Sequence, residues 1–303
     1  MTCNTKIAIG QLCSSSNLEK NLQTVVRLIS QAIDRDARVI FFPEATDFIA
    51  RNQEHSRWLA RETPIFVSKL KSCVRSLTLE KHKPIDVSIG VHLPSRDPNI
   101  DPRTRNVALY IDSNGKILQE YSKLHLFDIS IRNGPILNES SSVQPGTEVS
   151  GVLETPIGKL GTAICYDIRF PELGLKPRDL GAEVITYPSA FTMSTGEAHW
   201  ELLGKARALD TQCFVIMPGQ QGEHNVYDDD WEDPKGSSKR ERKRQSWGHS
   251  MVVDPWGQVI AKAEVNDGTP QLIVANLDLE FLKRVRTQMP LWDHRRNDIF
   301  GKI

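Results

Sequence analysis

The chain has 303 residues, with 38 Lys plus Arg balanced by 38 Asp plus Glu. That length supports a substantial core, either as one large domain or as two ordinary ones. Zero net charge leaves no global field to gather nucleic acid or an anionic membrane, so neither is an expected partner.

Taken in chain order, a short strand over Lys6 to Gln11 leads to Asn17, which can cap a helix whose apolar positions Leu18, Leu22, Val25, Val26, Ile29 and Ile33 keep helical spacing. Ala37 to Phe42 contains the unbroken apolar run of a strand buried on both faces, and Pro43 and Glu44 follow at its end. Thr63 to Lys81 reads as a second helix and Val87 to Leu93 as a further strand. Val107 to Ile111 and Lys116 to Tyr121 flank Asp112-Ser113-Asn114-Gly115, the signature of an antiparallel hairpin, so the sheet is expected to be mixed.

The same grammar then repeats. Leu160 to Cys165 is expected to be a strand, with a helix from Pro171, a strand over Glu183 to Tyr187, a helix over Thr195 to Asp210 and a strand over Cys213 to Met217. A second hairpin spans Met251 to Ile260. Two alternating halves, each closed by a hairpin, predict an α/β fold of two mixed sheets packed face to face with helices outside, an α-β-β-α sandwich. No Gly/Ser or Pro-rich linker divides them, so residues 1–303 read as one domain.

The one compositional break is 224–245, where five acidic residues (Asp228, Asp229, Asp230, Glu232, Asp233) precede the basic Lys239, Arg240, Arg242, Lys243 and Arg244. It reads as a long solvated surface loop of undefined role. From about residue 289, Met289-Pro290-Leu291-Trp292 and the charged segment after it read as an extended arm.

Met1 to Gln11 lacks the basic start and long apolar core of a secretory signal, and no later apolar run is long enough to span a bilayer. A cytoplasmic protein is expected, with a mitochondrial pool left open. The five cysteines are odd in number and scattered, without the close pairs of a metal site, so reduced thiols, no metal and no cofactor are expected.

One of these thiols, Cys165, stands where an apolar strand gives way to a polar turn and a new helix, a corner that can hold a nucleophile at the rim of a sheet. A free cysteine more often packs as a small hydrophobe. A catalytic cysteine usually has a histidine, and His125, His199 and His249 all qualify, so spacing alone selects none. Three other charged residues lie at or after strand ends: Glu44, Lys123 and Glu139. Each is either an exposed loop charge or, if the loops converge, part of a crevice beyond the carboxyl ends of strands.

Phe41-Phe42-Pro43-Glu44-Ala45, Tyr121-Ser122-Lys123-Leu124-His125-Leu126-Phe127 and Ala163-Ile164-Cys165-Tyr166-Asp167-Ile168-Arg169-Phe170-Pro171-Glu172 resemble, in this order, the three signatures of the nitrilase superfamily of carbon–nitrogen hydrolases. The likeness extends over essentially the whole chain, and Tyr166 with the following Asp-Ile-Arg-Phe-Pro-Glu is similar to the Nit branch of amidases. The resemblance implies that Cys165 is the nucleophile, Glu44 the general base, Lys123 the partner of the developing negative charge, and Glu139 either an orienter of Lys123 or a sharer of the base role. Lys123 would then favour a thiolate, and the Tyr166 N–H would supply a second oxyanion donor.

The implied substrate is a small amide carrying a carboxylate: the side-chain amide of deaminated glutathione in a metabolite-repair role, or alternatively α-ketoglutaramate or α-ketosuccinamate in an ω-amidase. Arg169 suits the carboxylate, with Phe191 and Thr192 beside it; structural pairing of Arg169 with Asp167 or Glu172 explains it equally well. The resemblance also implies a homodimer. A non-catalytic scaffold using the charged loop for a partner is the rival reading, which an intact Glu44, Lys123 and Cys165 set disfavours.

Overall fold

A computed structural model describes residues 4–130, 136–234, 243–264 and 267–302. Its first half runs β1 (Asn4–Gln11), α1 (Leu18–Asp34), β2 (Val39–Phe41), α2 (Gln53–Ala60), α3 (Thr63–Lys81), β3 (Asp86–Leu93), β4 (Thr104–Ile111) and β5 (Ile117–Ser122). Three short strands follow, β6 (Asp128–Ser130), β7 (Ile136–Asn138) and β8 (Val143–Gln144). The second half is β9 (Leu153–Thr155), β10 (Gly158–Thr162), α4 (Glu172–Asp179), β11 (Val184–Thr186), α5 (Met193–Thr211) and β12 (Phe214–Met217). It continues through β13 (Gln221–Glu223), β14 (Gln245–Trp247), β15 (Met251–Val253), β16 (Val259–Lys262), β17 (Gln271–Asp278), α6 (Leu279–Gln288) and α7 (Asn297–Phe300).

Two sheets carry the fold, ordered β17-β1-β2-β3-β4-β5, with β8 beside β4, and β16-β15-β12-β11-β10-β9. Their pairing is the same strand for strand. From β17 the first sheet reads antiparallel, parallel, parallel, antiparallel, antiparallel. From β9 the second reads identically. Thus β17, at the far end of the chain, fills in the first sheet the place that β9 fills in the second, and sequence reading had placed no strand over either segment.

The period-2 alternation of each strand sets the layers. Ile7, Ile9, Val39 and Phe41 from one sheet meet Val184, Phe214, Ile216 and Val252 from the other in a single buried cluster between the sheets. The intervening Ala8, Ile40 and Phe42 turn outward and pack under α1 and α3, against Val25, Ile29, Leu70 and Val74. Ile185, Val215 and Met217 do the same against Trp200 and Ala208 of α5. This is the expected helix, sheet, sheet, helix order. The sequence-predicted Asn17 cap also forms, its side chain accepting from Lys20 N, and α3 ends at His82 in a left-handed conformation.

Three expectations need correction. The acidic part of 224–245 is not a solvated loop, because Asp228 pairs with Lys20 at 2.6 Å and Asp229 pairs with His55 at 2.9 Å and Arg51 at 3.3 Å. The His55 and Trp231 rings stack at 4.7 Å beneath it, so two of the carboxylates are paired and an aromatic anchors the turn. Lys239, Arg240 and Arg242 lie outside the described residues. The segment from residue 289 turns instead of extending, with Asp293 N donating to Pro290 O at 3.1 Å, and ends in α7. Finally, α2 was missed because its eight residues are too few for a helical period to stand out. No helix among the described residues is long and apolar enough to cross a membrane.

Candidate active site

The four charged or nucleophilic positions begin as backbone placements. Pro43 follows just past the end of β2, and the turn there is clamped against β3: Gly90 N donates to Pro43 O at 3.0 Å and Thr46 N to Gly90 O at 2.9 Å. A Cβ on Gly90 would sit 2.5 Å from the Glu44 Cα, so only glycine permits this approach. The Gln220 amide donates to Glu44 O and Ala45 O at 3.1 and 3.0 Å, holding Ala45 at a positive φ of 56°. Lys123 is fixed just past β5 by its N–H to Asn106 O at 3.0 Å. Glu139 opens a 3-10 turn, Glu139–Ser141, whose cap is Asn138.

Cys165 does not end a strand, as expected, but opens the 3-10 turn Cys165–Arg169, β10 having stopped at Thr162. Its N–H donates to Pro188 O at 2.9 Å and its φ is 47°. A non-glycine residue pays about 1–2 kcal/mol for that left-handed conformation, and such strain gathers at functional positions.

The side chains then converge. Lys123 Nζ donates to Glu44 Oε1 at 2.9 Å and to both oxygens of Glu139 at 3.0 and 2.9 Å. Ala190 N donates to Glu44 Oε2 at 3.0 Å, Phe127 N donates to Glu139 Oε2 at 2.7 Å, and the Cys165 thiol lies beside Glu44, where it favours the charged carboxylate. Asn106, which sequence reading did not single out, ties the carboxylates together, its Nδ2 reaching Glu44 Oε1 at 2.7 Å and Glu139 Oε1 at 3.2 Å. Nothing in its motif-free surroundings marks it; only the pairing of β4 with β5 brings it beside Lys123.

Charge follows from this geometry. Burial alone would push Glu44 up, yet the Lys123 charge and the hydrogen bonds from Lys123, Cys165 and Asn106 hold it below the usual 4.5. Burial would lower Lys123, but Glu139 and Glu44 keep it charged and raise it well above 10.5. Burial and then the Glu44 charge push the Cys165 thiol well above 9.0, more than Lys123 offsets. Two carboxylates and one ammonium already leave the site with an excess negative charge, and a thiolate would add another. Lys123 therefore does not produce a resting thiolate, contrary to expectation. The resting set is a neutral thiol against an ionised carboxylate, which can accept its proton.

The three histidines have other partners. His125 Nδ1 is 2.9 Å from Asp167 Oδ1, His199 Nδ1 is 3.1 Å from an Arg169 terminal nitrogen, and His249 Nδ1 is 2.7 Å from Trp247 O. A small pocket opens over Cys165, lined by Tyr166, Arg169, Ala190, Phe191, Thr192, Thr195 and Phe127. Arg169 lies 5.8 Å from the centre of the Tyr166 ring and 5.7 Å from that of Phe191. Among the described residues it forms no ion pair, and so pairs with neither Asp167 nor Glu172. Nor do the described residues bring together three His, Cys, Asp or Glu side chains able to hold a metal ion.

A second missed residue is Asp167, fully buried behind the nucleophile. Its Oδ2 accepts from Tyr121 Oη at 2.8 Å and Ile164 N at 3.0 Å, and its Oδ1 accepts from His125 N at 2.9 Å. One carboxylate thereby ties the corner carrying Cys165 to the loop carrying Lys123. It was visible in the sequence only as a candidate partner for Arg169.

Comparison with known proteins gives a consistent picture. The family model described as carbon-nitrogen hydrolase matches residues 6–287. The "Probable hydrolase nit2" of Schizosaccharomyces pombe is 46% identical over 300 residues, covering 99% of this chain and 100% of that one. The "Deaminated glutathione amidase" of Bos taurus is 38% identical over 298 residues, covering 98% of this chain and 84% of that one. The crystal structure of the C. elegans NitFhit protein superimposes with a TM-score of 0.83 at 39% identity, over 98% of this chain and 66% of that one.

If Asp167 fixes the thiol relative to Lys123, Asp167→Ala strands the buried donors Tyr121 Oη and Ile164 N together with the part-buried His125 N and should cost roughly 3–5 kcal/mol in urea unfolding. Tyr121→Phe should cost about 1 kcal/mol. Assayed at a temperature where Asp167→Ala is still folded, kcat should fall with little change in KM. An unchanged kcat would show that the corner keeps its geometry without the carboxylate.

Proposed function

This chain belongs to the carbon–nitrogen hydrolase family and is a hydrolase acting on amides; from that premise we propose that it cleaves the side-chain amide of deaminated glutathione through a Cys165 thioester, releasing ammonia. The observation that carries this reading is the buried Glu44 carboxylate shared between the Cys165 thiol and the Lys123 ammonium. A binding scaffold has no use for an ionised carboxylate, a charged lysine and a thiol enclosed together, since such groups are costly to bury.

In the first half-reaction the Cys165 sulfur attacks the amide carbon as its proton passes to Glu44. The resulting oxyanion is stabilised by Lys123 Nζ and the Tyr166 N–H, which lies at the start of the 3-10 turn and has no acceptor within it. The intermediate collapses as Glu44 returns the proton to the nitrogen, and ammonia leaves. Water deprotonated by Glu44 then attacks the thioester, giving the free acid and restoring the thiol. Glu139 positions Lys123 and is not the base, because it is bound to Lys123 through both oxygens while Glu44 is the carboxylate whose charge acts on the Cys165 thiol.

Substrate choice rests on Arg169, an uncompensated guanidinium between two aromatic rings at the pocket, which suits a carboxylate on the substrate. We place the chain in the cytoplasm, where free thiols stay reduced; the described Cys13, Cys73, Cys165 and Cys213 are all unpaired. Recovery of the protein in a secretory fraction would contradict this. It also forms a homodimer, because Leu202 and Leu209, two turns apart on α5, are 67% and 48% exposed on one helix face. Sedimentation should show a dimer, and a monomer at micromolar concentration counts against it.

The reading is tested by kcat/KM for deaminated glutathione and α-ketoglutaramate in wild type and Cys165→Ala. Wild type should favour deaminated glutathione, and Cys165→Ala should lose ammonia release by at least about a thousandfold on both. Preference for α-ketoglutaramate would transfer the chain to the ω-amidase reading, and wild-type turnover by the mutant would remove the nucleophile assignment. For pH, Glu44 acts ionised and is held below 4.5, so kcat/KM should stay level through neutrality and fall only as acid protonates it at that lowered value. An acid limb near pH 6.5 would point to a histidine base instead.

A further inference from the structure

A second cavity lies away from the thiol. It has a volume of about 520 Å³ and is bounded by the last turn of α4, by α6 and by the turn after it, with Arg178, Arg286, Gln212, Thr287, Trp292 and Asp293 in its wall. Ala182 and Gln212, beside it, precede β11 and β12, whereas Cys165 and Ala190 follow β10 and β11. These three strands are parallel, so the cavity and the thiol occupy opposite ends of the same sheet. A ligand there would not touch the reacting atoms.

Two guanidinium groups share this space without a carboxylate partner. Arg286 is a structural staple: its Nε donates to Gln212 O at 3.0 Å, and one terminal nitrogen donates to Ala182 O at 2.7 Å and Cys213 Sγ at 3.2 Å. Arg178 is different. Its Nε is buried with no hydrogen-bond partner, and its guanidinium lies 4.9 Å over the Trp292 ring. Among the described residues neither arginine forms an ion pair. Asp293 lines the same cavity and attracts Arg178, yet burial and the like charge of Arg286 still leave Arg178 below its ordinary value. Buried donors are rarely left unpaired, and two like charges held together call for a counter-charge.

We propose that this cavity is a second binding site, for a small molecule bearing a carboxylate or phosphate group that Arg178 grips from its fork while Arg286 supplies a further positive charge and Trp292 forms the wall. A planar fork of N–H donors matches both kinds of oxyanion, and the volume is that of a small-molecule site, about 300–1,000 Å³. Because the site touches α6 and the turn beyond it, its occupant fastens the C-terminal segment to the second sheet.

The experiment is thermal unfolding of the full chain in inorganic phosphate, in citrate and in chloride at matched ionic strength, for wild type and Arg178→Gln. Wild type should melt higher in phosphate or citrate than in chloride, since ligand binding to the folded state stabilises it. Arg178→Gln should lose that rise while keeping amide hydrolysis. A rise in phosphate alone assigns a phosphorylated ligand, and one in citrate alone assigns a carboxylate. No oxyanion-specific rise in wild type, as expected if a second copy of the chain fills the cavity, or an equal rise in Arg178→Gln, overturns the site. If Arg178→Gln does not fold, Arg178→Lys keeps the charge without the fork, and calorimetric titration should find binding at least about tenfold weaker; unchanged affinity would equally overturn it.

Discussion

A lysine held between two carboxylates in a buried cleft is the interaction on which the site depends. Lys123 Nζ touches Glu44 at 2.9 Å and Glu139 at 2.9 Å, and its side chain is almost wholly buried. Taking three charges out of water is unfavourable unless each remains paired and hydrogen-bonded, and removing one partner from such a set costs about 3–5 kcal/mol. The backbone N–H groups of Ala190 and Phe127 and the Asn106 amide complete the pairing. That arrangement leaves the site one unit negative, which keeps Cys165 a thiol and Glu44 a base. On the proposed mechanism, nucleophilicity arises only as the proton moves, during attack on a substrate whose oxygen takes up negative charge near Lys123.

The fold supplies this convergence by repetition. Each sheet has the same sequence of antiparallel and parallel pairings, so the two present matching edges when packed face to face. Glu44 follows a strand of the first sheet, while Cys165 and Ala190 follow neighbouring strands of the second. Lys123 leaves the hairpin that closes the first sheet, and its loop is bound to the Cys165 corner through Asp167. Gly90 within β3 and Gln220 just past β12 clamp the Glu44 turn from the two sheets. The catalytic set is thus an inter-sheet contact, and stability and function draw on the same hydrogen bonds.

Much of this was legible in the sequence, for identifiable reasons. Long amphipathic runs such as Leu18 to Asp34, and apolar runs buried on both faces such as Val39 to Phe42, carry strong periodic signals. Glu44, Lys123 and Cys165 could be read because each sits beside a strand end within a distinctive local motif. Short elements could not: β9 has three residues, and β17 is defined by its pairing with β1 across the length of the chain. Asn106 and Asp167 act through neighbours that only the tertiary fold provides. The acidic run after His224 misled because composition records its charges but not the Lys20, Arg51 and His55 that meet them. The thiolate expectation failed because it weighed the Lys123 charge and not the burial of the thiol, which together with the Glu44 charge outweighs it.

At rest Cys165 is a neutral thiol facing an ionised Glu44. The most direct measurement is the ultraviolet thiolate absorbance of wild type minus that of Cys165→Ala, followed as pH is raised through neutrality. The charge arrangement predicts no Cys165 ionisation step below the ordinary thiol value of 9.0. A step at or below neutral pH would mean a preformed thiolate, and would contradict the account of how Glu44 and Lys123 divide their work.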